Sequence, residues 1–157
     1  MRSSAHRLLV LAASVLLALA VASCGSDDPD VDSRAATMGL PDLKVNLVAD
    51  AWLLDPEDSS IEVAGERVTL DFHADDAVSG TAPCNTYRAS VSYGDATVTI
   101  SEVGSTLRGC DPDVMDAEAA YFDALVAVRD VDLTDRDRLI LTGPGDVRLA
   151  FDTTDEP

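Results

Sequence analysis

Short stretches in which apolar and polar residues alternate, separated by turn residues, recur through the chain after about Leu43 and commit it to antiparallel sheet. In VTLDFH, Val68, Leu70 and Phe72 fall on one face and Thr69, Asp71 and His73 on the other. That is the period of a strand buried on one side only. Ala74-Asp75-Asp76 reads as a turn, and AVSGTA as the returning strand. ASVSY and TVTISEV flank Tyr93-Gly94-Asp95 as a second hairpin. RLILT and VRLAFD flank Gly143-Pro144-Gly145-Asp146 as a third, whose last strand buries Val147, Leu149 and Phe151. AWLL around Trp52 is a further strand.

One segment has helical spacing instead. Asp111 suits the N-cap, Pro112 the first turn and Asp113 the positive end of the dipole. Met115, Ala119, Phe122, Leu125 and Val126 then share a face through to about Val128, the spacing of a helix laid on a sheet. Glu118 borders that stripe, where its carboxylate is expected to reach the rim and water; the alternative is a buried partner such as Arg108. Strands, one helix and then strands predict an α+β domain, mainly an antiparallel sheet that bends into a partly open barrel with one helix packed on it.

The N-terminus has a different character. Arg2 and Arg7 precede an uncharged apolar run from Leu8 to Ala22, which suits the core of an export signal and is shorter than the roughly 20 residues of a membrane-spanning helix. Val21, Ala22, Ser23 and Cys24 resemble the lipobox of bacterial lipoprotein signal peptides. The resemblance implies that Cys24 receives lipid and becomes the N-terminus after cleavage. Two acyl chains, at roughly 0.8 kcal/mol per buried methylene, give stable attachment where one does not. The expected organisation is a signal peptide over 1–23, a flexible acidic tether over 24–42 and a folded domain over 43–157. The tether expectation rests on the Asp, Ser, Gly and Pro of GSDDPDVDSRAATMGLPD.

Composition narrows the function classes. The chain carries 11 Lys plus Arg against 29 Asp plus Glu, a formal charge of −18. That field repels phosphate backbones and anionic lipid alike, so no nucleic-acid partner is expected. With His6 in the signal peptide, His73 is the only histidine of the expected mature chain, on the outer, exposed face of its strand. No G-x-S-x-G or phosphate-binding glycine loop occurs, and a Ser-His-Asp unit would have to take His73 as its base. Asp111, Asp113 and Asp116 lack the glycine and the terminal glutamate of a calcium loop. No metal, cofactor or catalytic residue is therefore expected. Three cysteines leave Cys84 and Cys110 as a pair once Cys24 is lipidated. Outside the cytoplasm the two either bridge, for about 3.5 kcal/mol in the chain-entropy account, or stay as separate buried thiols.

Trp52-Leu53-Leu54, VSGTAPCNTY from Val78 to Tyr87, TLRGC from Thr106 to Cys110, Glu118 and Leu125, then RLILT and VRLAF together resemble the META domain of heat-shock lipoproteins of the HslJ type. The resemblance runs from about Ala51 to Phe151. It implies a small, envelope-exposed domain with an antiparallel sheet and one helix, associated with heat or antibiotic stress and without a catalytic activity tied to the motif. The family's Gly-Cys-Asn is Pro83-Cys84-Asn85 here, which restricts Ala82 and stiffens the approach to the turn.

The expected function is a lipid-anchored, non-enzymatic protein on the extracytoplasmic face of the cell membrane, monomeric, with a stress-related or protein-interaction role and an envelope protein as partner. The turn Asn85, Thr86, Tyr87 and Arg88 is its candidate interaction surface. Asn85 serves equally as a turn residue and Tyr87 as a core aromatic. The alternative is a small-ligand carrier that uses the sheet interior as a pocket, or a hydrolase. Three Phe, three Tyr and one Trp are few for a large aromatic-lined cavity.

Overall fold

The structure, a computed structural model, describes residues 40–154. The expected signal peptide, Cys24 and the expected tether up to residue 39 lie outside the described residues. Two helices and eight strands follow in order: α1 (Leu40–Ala49), β1 (Ala51–Leu54), β2 (Thr69–Phe72), β3 (Ala77–Thr81), β4 (Thr86–Gly94), β5 (Thr97–Ser105), α2 (Pro112–Ala127), β6 (Asp130–Asp135), β7 (Arg138–Gly143) and β8 (Val147–Thr153).

The strands pair antiparallel in sequence order, and β8 returns to β1, so the barrel is closed rather than partly open. The expectation of an opening has a counterpart in the joint between β5 and β6. That joint has the one register pair Thr97↔Asp130, supplemented by Val98 N donating to Arg129 O and Val131 N to Ala96 O. Here α2 interrupts the succession of strands and packs across β5, β7 and β8.

Alternation does what the sequence predicts. Trp52, Leu70, Val78, Val91, Ile100, Leu139, Leu141, Leu149 and Phe151 point inward and are buried. These side chains fill the barrel interior as one apolar core.

Three local expectations change. The last three residues assigned to the tether, Leu40 to Asp42, already belong to α1, whose Leu43 and Leu47 are buried against the barrel one turn apart. The Trp52 indole fixes the helix by donating to Leu47 O at 3.1 Å. Asp111 caps α2 through its backbone: its carbonyl accepts from Val114 N and Met115 N, and its side chain makes no capping bond. The buried stripe of α2 is also rotated from the predicted one. Ala117, Glu118, Tyr121, Ala124 and Leu125 face the core, whereas Met115, Ala119 and Val126 are exposed. A stripe of alanines and a glutamate is weaker on any hydropathy scale than one containing methionine and valine, yet small residues let the helix approach the sheet closely.

Candidate functional site

The motif residues meet at the end of the barrel where β3 turns into β4. Ala82 N donates to Asn85 O at 2.7 Å, closing a tight turn that includes Pro83 and Cys84. The long β1–β2 loop docks on this turn, with Glu66 N donating to Pro83 O at 2.9 Å. Gly65, at φ +94°, makes that approach possible, since a Cβ there would lie 2.4 Å from Pro83 O.

Glu118 projects from α2 into the turn and is 5 % exposed. Its Oε2 accepts Cys84 N at 3.1 Å and Asn85 N at 2.7 Å, and its Oε1 accepts Asn85 Nδ2 at 2.7 Å. The carboxylate therefore reaches neither water nor the Arg108 guanidinium, which instead pairs with Glu66 at the surface. Its partner is the turn itself, and three neutral N–H donors satisfy it. The i, i+3, i+4, i+7 spacing of Val114, Ala117, Glu118 and Tyr121 held this signal, obscured by the ordinary rule that glutamate marks a solvated face.

Asn85, 2 % exposed, uses its whole amide. Nδ2 donates to Glu118 and, at 3.5 Å, to Arg108 O; Oδ1 accepts Thr106 Oγ1 and Arg108 N, both at 2.8 Å. Two donors and two acceptors exhaust what the side chain has to offer. The Cys84–Cys110 disulfide, with Cα atoms 6.1 Å apart, ties the same loop to the turn a second time. Between these anchors Leu107 stands 98 % exposed.

The predicted interaction turn is thus divided. Asn85 and Tyr87 are buried, while Thr86 and Arg88 are exposed. Tyr87 Oη lies 3.0 Å from Thr69 O, to which it donates, and 2.7 Å from Tyr121 Oη. Its ring packs edge-on against Tyr121 and Phe122. Burial pushes the Tyr87 and Tyr121 hydroxyls above their ordinary titration range. Gly80 makes room for this contact, because a Cβ there would lie 2.0 Å from Thr69 O and 3.0 Å from Tyr87 Oη.

Chemically this cluster is a staple. The hydrogen-bonding capacity of Asn85 is spent, Glu118 is held by three donors, and neither residue offers a free nucleophile or base. Elsewhere, His73 is half-buried rather than exposed, with Nε2 2.7 Å from Ser79 Oγ. A groove of about 790 Å³ on the outer wall, lined by Leu53, Arg67, Thr69, Thr81 and Thr153, runs beneath the β1–β2 loop.

No curated protein sequence matches the chain. Several solved structures share the fold at low identity. A protein from Burkholderia xenovorans, determined by NMR, is 22 % identical at a TM-score of 0.59, over 82 % of this chain and 97 % of that one. A crystal structure of a DUF4847 family protein from Bacteroides vulgatus is 14 % identical at a TM-score of 0.53, over 73 % of this chain and 99 % of that one. The META domain family model matches residues 45–156, a span that contains the disulfide, the Asn85 turn and Glu118. By that match this chain belongs to the META domain family.

Proposed function

We propose that this chain is a lipid-anchored cell-envelope protein, held at the extracytoplasmic face through Cys24, whose META domain serves as a non-enzymatic interaction module. The observation that carries the reading is the fate of the motif residues. Asn85, Glu118 and the disulfide commit their polar groups to bracing one loop, and the braced loop offers Thr86, Leu107 and Arg108 to solvent. A leucine held out by a buried network has its ordering entropy settled before any partner arrives, which favours recognition. The lipobox and the basic, apolar leader support the anchor, the net charge of −18 argues against nucleic acid, and the family resemblance supports a stress-related role.

Two measurements test the reading. Intact-mass analysis of the protein from its native membranes should find a diacylated Cys24 as the first residue, and Cys24→Ser should release the chain from the membrane fraction. A photo-crosslinking residue at position 107 should give one discrete protein adduct in native cells, absent when the crosslinker is placed at Asp123, which is also exposed. An unmodified N-terminus on a freely secreted chain removes the anchor, and an adduct pattern identical at both positions removes the interaction surface.

A further inference from the structure

Strands β2, β3 and β4 set a row of polar side chains on the outer wall of the barrel. Asp71 stands cross-strand from Ser79, and Ser79 stands cross-strand from Arg88. Directly opposed residues of antiparallel strands share a face with Cβ atoms about 4.5–5.5 Å apart. A carboxylate, a hydroxyl and a guanidinium therefore follow one another across three strands. His73, two residues beyond Asp71 on the same face, joins them with Nε2 2.7 Å from Ser79 Oγ. The Arg88 guanidinium pairs with Asp75 Oδ2 of the β2–β3 turn at 3.0 Å. Burial pushes the Asp71 carboxyl up, against a smaller downward pull from the neighbouring His73. Two residues along each strand, Thr69 and Thr81 lead into the outer groove, floored by Leu53 and edged by Arg67.

We propose that Ser79 is a nucleophile that takes an acyl group from a small carboxylic ester bound along this wall, with His73 as its base and Arg88 facing the oxyanion. A serine and an imidazole in hydrogen-bond contact, two residues along the strands from a groove and in a row with both charges, supply the nucleophile–base contact that an activated hydroxyl requires. In the tautomer that carries its proton on Nδ1, His73 accepts the Ser79 proton at Nε2 as Oγ bonds to the carbonyl carbon. The carbonyl π pair moves to oxygen, where the Arg88 guanidinium balances the charge. Collapse of the adduct breaks the carbon–alkoxide bond, His73 returns the proton to the departing alkoxide, and an ester of Ser79 and a free alcohol remain. Capture of an acyl group in this way leaves the interaction reading of the motif cluster untouched, and its test is independent of the anchor.

The probe is p-nitrophenyl acetate on the full chain with its disulfide intact, followed by nitrophenolate release, intact mass and peptide mapping. The expected result is one acetyl group per chain on Ser79, absent in Ser79→Ala. His73→Ala should slow release by about 100-fold or more, and free imidazole should restore it above the imidazole background, a response that a purely structural histidine does not give. Arg88→Met should slow release while the acetyl group stays on Ser79. Lys44, the only lysine, is the competing amine and maps to a different peptide. If Ser79→Ala does not fold, Ser79→Cys takes its place and should carry a thioester at the same position. An acetyl group found elsewhere with none on residue 79, or release from Ser79→Ala at the parent rate, overturns the proposal.

Discussion

Two polar networks hold loops onto this barrel, and they do it by opposite means. At the motif end, Glu118 and Asn85 are buried and bind neutral N–H groups. On the neighbouring wall, Arg138 pairs with Asp55, Asp58 and Asp152, and Arg148 pairs with Asp58, fastening the β1–β2 loop to β7 and β8 with full charges near the surface. Backbone bonds reinforce that wall, with Asp55 N donating to Ala150 O and Ser60 N to Arg148 O, both at 2.8 Å. The exposed network has more charge and more short contacts, yet water competes for each of its partners and salt screens it. The buried one has no second charge at all, but each of its groups becomes an unsatisfied polar atom when its partner is lost. Burial, more than charge, decides which network the fold depends on.

The largest expected effect follows directly. Glu118→Gln replaces one accepting oxygen with an NH2 that faces donors, and should cost about 4 kcal/mol in urea or thermal unfolding. A loss below about 1 kcal/mol would break the comparison. Next in size, Cys84→Ser combined with Cys110→Ser opens a crosslink between residues 26 apart, with an expected cost of about 3.5 kcal/mol. The hydroxyls sharpen the same point. Tyr87 and Tyr121 satisfy each other, whereas Tyr93 Oη is buried with no hydrogen-bond partner among the described residues. Tyr93→Phe should therefore stabilise the protein by about 1 kcal/mol, and Tyr87→Phe, which strips a partner from Tyr121, should destabilise it in the same assay.

How much of this was legible in the sequence tracks how local the cause is. The strands around Leu70, Val91, Ile100 and Leu149 were readable because alternation and flanking turn residues lie within a few positions of one another. Strand β6, Asp130–Asp135, was not, since three of its six residues are aspartates that carry no strand preference. The start of helix α1 falls within the expected tether because it continues an acidic, glycine- and proline-containing stretch; Leu43 and Leu47 become a stripe only when the barrel end is there to receive them. The site divides in the same way. The pairing of Cys84 with Cys110 was open to counting, whereas the link from Glu118 to Asn85 spans 33 residues and contradicts the usual placement of glutamate. The contact of His73 with Ser79 depends on strand register, which periodicity alone does not fix.

The smallest expected effect probes the exposed network where it is most distinctive. Hydrogen bonds from Arg148, then from Arg138, hold the Asp58 carboxyl at about 2 against an ordinary value of 3.8. A carboxyl lowered by folding contributes its full stabilisation above its unfolded value, and the contribution disappears as the pH falls through its folded value. The difference in Tm between the parent and Asp58→Asn should therefore be small and level well above about pH 4, and should shrink below that and vanish once the pH falls through about 2. Added salt should shrink the same difference at neutral pH, whereas the loss caused by Glu118→Gln should persist in salt because its donors are neutral. A salt-insensitive Asp58 effect as large as that of Glu118 would show that the wall network is shielded from water, and the ranking of the two networks would then reverse.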